Sequence, residues 1–75
     1  MSDKIIDLKG LLCPMPVVKM AKEIKTIEVG QVIEAQASDP GVLADIPAWC
    51  KSTGNEMISM EKKEKVFYFQ VRRLV

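Results

Sequence analysis

An α/β two-layer sandwich of order β-α-β-α-β-β, with two helices on one face of a four-stranded mixed sheet, is the fold class that the sequence predicts. Three observations lead to it. Short runs with a two-residue apolar period alternate with longer runs at helical spacing, the pattern of strands joined by crossover helices. Gly10, Gly30, Asp39-Pro40-Gly41 and Gly54 punctuate the junctions. Two strand-like runs around a charged turn close the chain as a hairpin. The 75 residues are read as a single domain over 1–75. A chain of that size buries only around 60% of its unfolded surface, so any chemistry is expected at the surface.

Residues 4–8 (Lys-Ile-Ile-Asp-Leu) form the first strand, closed by Gly10. A helix is predicted from Pro14 to about Ile27, because Val17, Met20, Ala21, Ile24 and Ile27 recur at helical spacing while Lys19, Lys22, Glu23 and Lys25 occupy the other side. Residues 31–37 alternate, with Ile33, Ala35 and Ala37 on one face and Glu34 and Gln36 on the other, as in a half-buried strand. Residues 42–53 read as helical but contain Pro47, which would cost about 3 kcal/mol in a helix interior. Placing Asp45 at the N-cap removes the conflict: the helix then runs from about Ile46 to Thr53, Gly54 ends it, and residues 40–44 form an irregular turn. Ile46, Trp49, Cys50 and Thr53 share its packed stripe or its border.

Residues 57–60 and 66–71 are the hairpin strands, with the charged 61–65 between them. Phe67, Phe69 and Val71 should carry the core, and Tyr68, Gln70 and Arg72 the opposite face. That opposite, open face is expected to show Ile5, Val32, Met57 and Tyr68 among Asp7, Glu34, Ser59 and Gln70. Of the methionines, Met20 and Met60 fit core positions, whereas Met15 and Met57 look exposed. There is no internal repeat or low-complexity tract.

Composition excludes several functions. Eleven basic against ten acidic residues leave a net charge of +1, too little to draw in nucleic acid or an anionic membrane, so neither is expected as a partner. The N-terminal apolar run is too short for a signal peptide, and a cytoplasmic protein is expected. With no histidine, and with the two cysteines 37 positions apart, one chain cannot assemble a standard zinc site, and no metal or other cofactor is expected. Cys-His hydrolysis is excluded for the same reason. What remains is chemistry in which sulfur itself attacks or carries.

Cys13 is the candidate nucleophile. In Gly10-Leu11-Leu12-Cys13-Pro14-Met15-Pro16 it stands between strand and helix, at the N-cap or just before it, with Pro14 in the first helical turn. Free N–H groups and the positive pole of the helix should favour its thiolate and draw its pKa below about 8.5. The competing reading is a small buried hydrophobe, against which stand the poor capping ability of cysteine and the exposure usual at such junctions. Cys50, on a helix stripe, reads first as a core residue.

Leu8, Gly10, Leu11, Cys13, Pro14, Pro16, Lys19, Asp39-Pro40, Asp45-Ile46-Pro47, Cys50 and Gly54, in that order over nearly the whole chain, resemble the TusA/SirA/YedF family of small sulfur-carrier proteins, whose hallmark is a Cys-Pro-x-Pro motif at the start of the first helix. The resemblance implies the sandwich already read from periodicity. It also implies a sulfurtransferase-type carrier without cofactor, in which Cys13 takes sulfane sulfur from a donor protein of cysteine desulfurase or rhodanese type, holds it as a persulfide, and hands it to a thiol acceptor protein. Such a carrier is both substrate and product of the transfers at its two ends, and a monomer is expected. Pro14 and Pro16 would stiffen the mount, and Lys19 would add positive charge near the anionic persulfide. Leu12 and Met15 depart from the branch that supplies tRNA thiolation, which carries arginine and glutamate there, so the partner-facing rim is apolar and the pathway stays open. Two other readings stand beside the carrier. One is a redox protein with a Cys13–Cys50 disulfide, and the other a protein-interaction module with an unreactive Cys13.

Overall fold

The apolar faces of the second and last strands meet in one sheet, and the helices cover that side alone. The structure is a computed structural model that describes residues 2–75. Its elements are β1 (Lys4–Leu8), α1 (Met15–Glu23), a 3₁₀ turn (Ile24–Thr26), β2 (Val32–Ala37), α2 (Val42–Thr53), β3 (Glu56–Lys63) and β4 (Val66–Arg72). The strand order is β1-β2-β4-β3. β1 runs parallel to β2 with Leu8 opposite Ala37, while β2–β4 and β4–β3 are antiparallel. Parallel neighbours need a crossover, which α1 supplies; the antiparallel β3 and β4 need only a turn. Leu8, Met20, Ile24, Ile33, Ala35, Ala37, Val42, Ile46, Cys50, Phe67, Phe69 and Val71 lie buried between sheet and helices.

The first helix is shorter than its periodicity suggests. α1 begins at Met15 with Pro14 as its N-cap residue rather than inside the first turn, and Pro16 stands near its start. It tightens into the 3₁₀ turn at Ile24 because a three-residue repeat keeps Ile24 and Ile27, both buried, on one side. Side chains hold this tightening: the Thr26 hydroxyl donates to the Glu23 carbonyl at 2.6 Å, and the Lys4 ammonium donates to the Thr26 hydroxyl at 2.8 Å while pairing with the Glu23 carboxylate at 2.7 Å. The bond from Lys4 also holds the Glu23 carboxyl below its ordinary pKa.

The second helix is longer than predicted. It starts at Val42, with Gly41 and not Asp45 at its N-cap, and Pro47 lies inside it. Val42, Ile46 and Cys50 fall at i, i+4 and i+8, so starting early buries Val42 against the core. That burial is worth about 1.5–3 kcal/mol, comparable to the penalty of the proline. The amide missing at Pro47 would have met the Leu43 carbonyl, and Leu43 is half-exposed, where water can serve instead. Gly54 ends the helix at φ +86, donating to the Cys50 carbonyl, as predicted.

Both hairpin strands outrun their predicted limits, and the turn shrinks from five residues to Glu64-Lys65, with Glu64 at φ +58. Lys62 and Lys63 thereby join the edge strand β3, with ammonium groups 5.8 Å from the Phe67 ring centroid and 5.9 Å from that of Tyr68. Charged residues on an edge strand oppose pairing with another chain. A bulge between Met57 and Ser59 breaks the two-residue alternation, so Met57 and Met60 both turn to the core side. Met57 is therefore not on the open face, contrary to the alternation of its neighbours. The open face is polar around the exposed Ile5, with Gln70 donating to Glu34 at 3.0 Å and Arg72 paired with Glu56 at 3.2 Å.

Candidate functional site

Because β1 and β2 are parallel, the loops that follow them emerge at the same end of the sheet, the end where open α/β sheets bind their ligands. Cys13 lies on the first of these loops, and Asp39 on the second. Gly10 N–H donates to the Ser38 hydroxyl at 2.9 Å, and Cys13 N–H donates to Asp39 Oδ2 at 2.8 Å, which ties the two loops together. Asp39 Oδ1 accepts from Gly41 N–H at 3.2 Å, so one carboxylate braces the Cys13 loop and the start of α2. The Cys13–Pro14 peptide is cis.

Cys13 is exposed, one residue before the N-cap of α1, where the sequence puts it. Its electrostatics are the reverse of the expectation. The Sγ thiol donates to Asp45 Oδ2 at 2.9 Å, and this bond, with the charges of Asp45 and Asp39, raises the Cys13 pKa instead of lowering it. The helix offers little opposition. Met15 N–H is spent on the Leu12 carbonyl at 2.8 Å, and Pro16 has no N–H to give. Lys19 is exposed on α1, and its charge acts on Glu23 and not on Cys13. The side chains flanking Cys13 in sequence are apolar and exposed: Leu12 is 73% exposed, and Met15 and Val18 are about half-exposed.

Cys50 belongs to the core. It is 2% exposed, its Sγ lies 3.9 Å from Met57 Sδ, and burial pushes its thiol up to about 11. Iodoacetamide applied to the folded protein at pH 8 should therefore leave Cys50 unlabelled and modify it only after denaturation, as peptide mass mapping would read. Labelling of Cys50 at the same rate before and after denaturation would contradict this packing.

Asp39 and Asp45 are the residues that the sequence analysis did not assign to the site, having read one as a turn former and the other as a cap. A signal was available. Strands of a βαβ unit run parallel, so the loops carrying Cys13 and Asp39 had to meet at one end of the sheet.

A family model described as sulfurtransferase TusA matches residues 4–73. This chain belongs to the TusA family. Among TusA-family relatives, YrkF of Bacillus subtilis, named as a candidate sulfur carrier protein, is 42% identical over 69 residues. That match covers 92% of this chain but only 37% of YrkF, so the chain spans little more than a third of that relative. The sulfur carrier protein TusA of Allochromatium vinosum is 34% identical over 71 residues, covering 95% of this chain and 93% of that one. The crystal structure of a SirA-like protein from Desulfitobacterium hafniense superposes with a TM-score of 0.81 at 20% identity, over 96% of this chain and 99% of its own. The TusA-family fold is thus the two-layer sandwich of two helices against a four-stranded mixed sheet. Among the described residues, no helix is long and apolar enough to cross a membrane.

Proposed function

We propose that this chain is a sulfur carrier in which Cys13 accepts sulfane sulfur from a donor protein, holds it as a persulfide and passes it to a thiol of an acceptor protein. The observation that carries this reading is the exposed Cys13 thiol on the loop ahead of α1, in a chain of the TusA family. The relative from Allochromatium vinosum, matched over nearly its whole length, bears the name sulfur carrier protein, which supports the same role here. In the loading step, Cys13 Sγ attacks the outer sulfur of the donor persulfide. The new Sγ–S bond forms as the donor S–S bond breaks, the donor thiolate leaves, and the proton given up by Cys13 balances it. There is no net oxidation, and the step needs no cofactor. Unloading repeats the displacement with the acceptor thiol as nucleophile.

The donor would be a protein of cysteine desulfurase or rhodanese type. It would dock on the rim formed by Leu12 and Met15, with Pro14 and Pro16 stiffening the mount. We place the carrier, as a single domain over 1–75 and a monomer, in the cytoplasm, where thiols stay reduced.

Intact-mass spectrometry after incubation with a cysteine desulfurase and L-cysteine tests the proposal. Wild type should gain about 32 Da, the mass of one sulfur atom, reversibly with reductant. Cys13→Ser should gain nothing, and Cys50→Ser should load like wild type. Loss of two hydrogens from wild type in place of the gain would favour the Cys13–Cys50 redox reading, and no change at all would favour an interaction module.

A further inference from the structure

We propose that Asp45 governs the reactivity of Cys13: its carboxylate holds the sulfur as a hydrogen-bonded thiol in the free protein and favours reaction partners that bring positive charge to the sulfur. The inference rests on the carrier reading for its biological meaning, but not for its chemistry.

Asp45 stands in the first turn of α2 and reaches across to Cys13 Sγ at 2.9 Å, linking residues 32 positions apart in the chain. Asp39 stands beside it. A Cβ built on Gly41 would lie 3.3 Å from Asp39 Oδ2 and 3.5 Å from Asp45 Oδ2, so the glycine leaves the space that both carboxylates use. Their roles differ. Asp39 is committed to two backbone N–H groups, whereas the bond to the Cys13 thiol is the one hydrogen bond of the Asp45 side chain among the described residues. Neither is in an ion pair among those residues, where the ion pairs are Lys4–Glu23 and Arg72–Glu56. The charged groups that bear on Cys13 are thus Asp45 from α2 and Asp39 from the β2–α2 loop, with no lysine of α1 or of the preceding loop to counter them.

Consequences for sulfur transfer follow. Forming the thiolate breaks the S–H···O bond and sets two negative charges at contact, so attack by Cys13 is slow while Asp45 is uncompensated. A basic side chain of the donor placed against Asp45 would remove that penalty at the moment of docking, while the exposed Leu12 and Met15 supply apolar contact. The same carboxylate repels an anionic persulfide, which favours onward transfer over storage. An unpartnered carrier is therefore guarded against stray disulfides and oxidants.

The test measures the rate at Cys13 in wild type, Asp45→Asn and Asp45→Glu, each checked for its folded circular dichroism spectrum. With neutral iodoacetamide, the wild-type rate should rise with pH through a midpoint above that of an ordinary cysteine. Asp45→Asn, which keeps an acceptor oxygen but loses the charge, should move the midpoint down and raise the rate at pH 7 about three- to tenfold. Asp45→Glu should stay closer to wild type. With disulfide probes, wild type should react faster with cationic cystamine than with anionic dithiodiglycolate, a preference weakened by salt and clearly smaller in Asp45→Asn, where Asp39 alone remains. A merely structural role would not move this charge preference. An unchanged pH midpoint together with an unchanged cystamine preference in folded Asp45→Asn overturns the proposal. Failure of sulfur loading, with these shifts present, overturns the carrier reading alone.

Discussion

Phe69→Ala should destabilise the protein by about 3–5 kcal/mol and leave a substantial unfolded population at 37 °C. Phe69 is fully buried and heads the largest side chains of the core. It sits on β4, an inner strand, opposite Ala35 on one side and Met60 on the other, so its ring fills the space left by a small neighbour. Truncation removes apolar burial and opens a cavity that Ala35 cannot fill. For a domain of this size, total stability is roughly 4–11 kcal/mol, so one substitution takes away a large share of it. Urea unfolding followed by circular dichroism checks the prediction through a fall in midpoint at unchanged slope. A midpoint within experimental scatter of wild type would show that β4 is not central to the core.

Asp39→Ala should cost about 2 kcal/mol and lower Tm by about 8–16 °C. Its carboxylate accepts from Cys13 N–H at 2.8 Å and from Gly41 N–H at 3.2 Å, and alanine leaves both donors without that acceptor. Hydrogen bonds to a charged acceptor are worth more than neutral ones, and this carboxylate joins two loops as well as bracing the residue that precedes the second helix. Asp39→Asn should recover part of the loss, since its single carbonyl oxygen can replace one of the two acceptors. Scanning calorimetry of the three proteins separates the outcomes. Equal Tm values for wild type and Asp39→Ala would mean that water serves the two amides as well as the aspartate does.

Much of this architecture was legible from residue order, because the period of apolar residues reports directly on which face of an element is buried. Ile33, Ala35 and Ala37 on β2, and Phe67, Phe69 and Val71 on β4, carry the core as their alternation demands. Boundaries were less legible where a tertiary contact outweighed a local rule. Pro47 argues for a helix starting at Ile46, but the burial of Val42 offsets its penalty. Ile24 and Ile27 argue for a continuous α-helix, yet the Lys4–Glu23–Thr26 contacts tighten Ile24–Thr26 into a 3₁₀ turn that ends before Ile27. Met57 reads as outward-facing until the bulge reverses the alternation beside Cys50.

The sequence by itself determined the order of elements, their buried faces, the place of Cys13 ahead of the first helix and the apolar rim of Leu12 and Met15. These are local properties, set by period, turn chemistry and the rigidity of proline. The charge around Cys13 was decided only by the tertiary structure. Asp39 and Asp45 lie 26 and 32 positions from it along the chain, and the parallel pairing of β1 with β2 brings them to its amide and its sulfur. A helix-end argument counts the dipole of one element, whereas Coulomb interactions and hydrogen bonds act through space, so a carboxylate at 2.9 Å outweighs a helix terminus whose leading N–H groups are spent or missing.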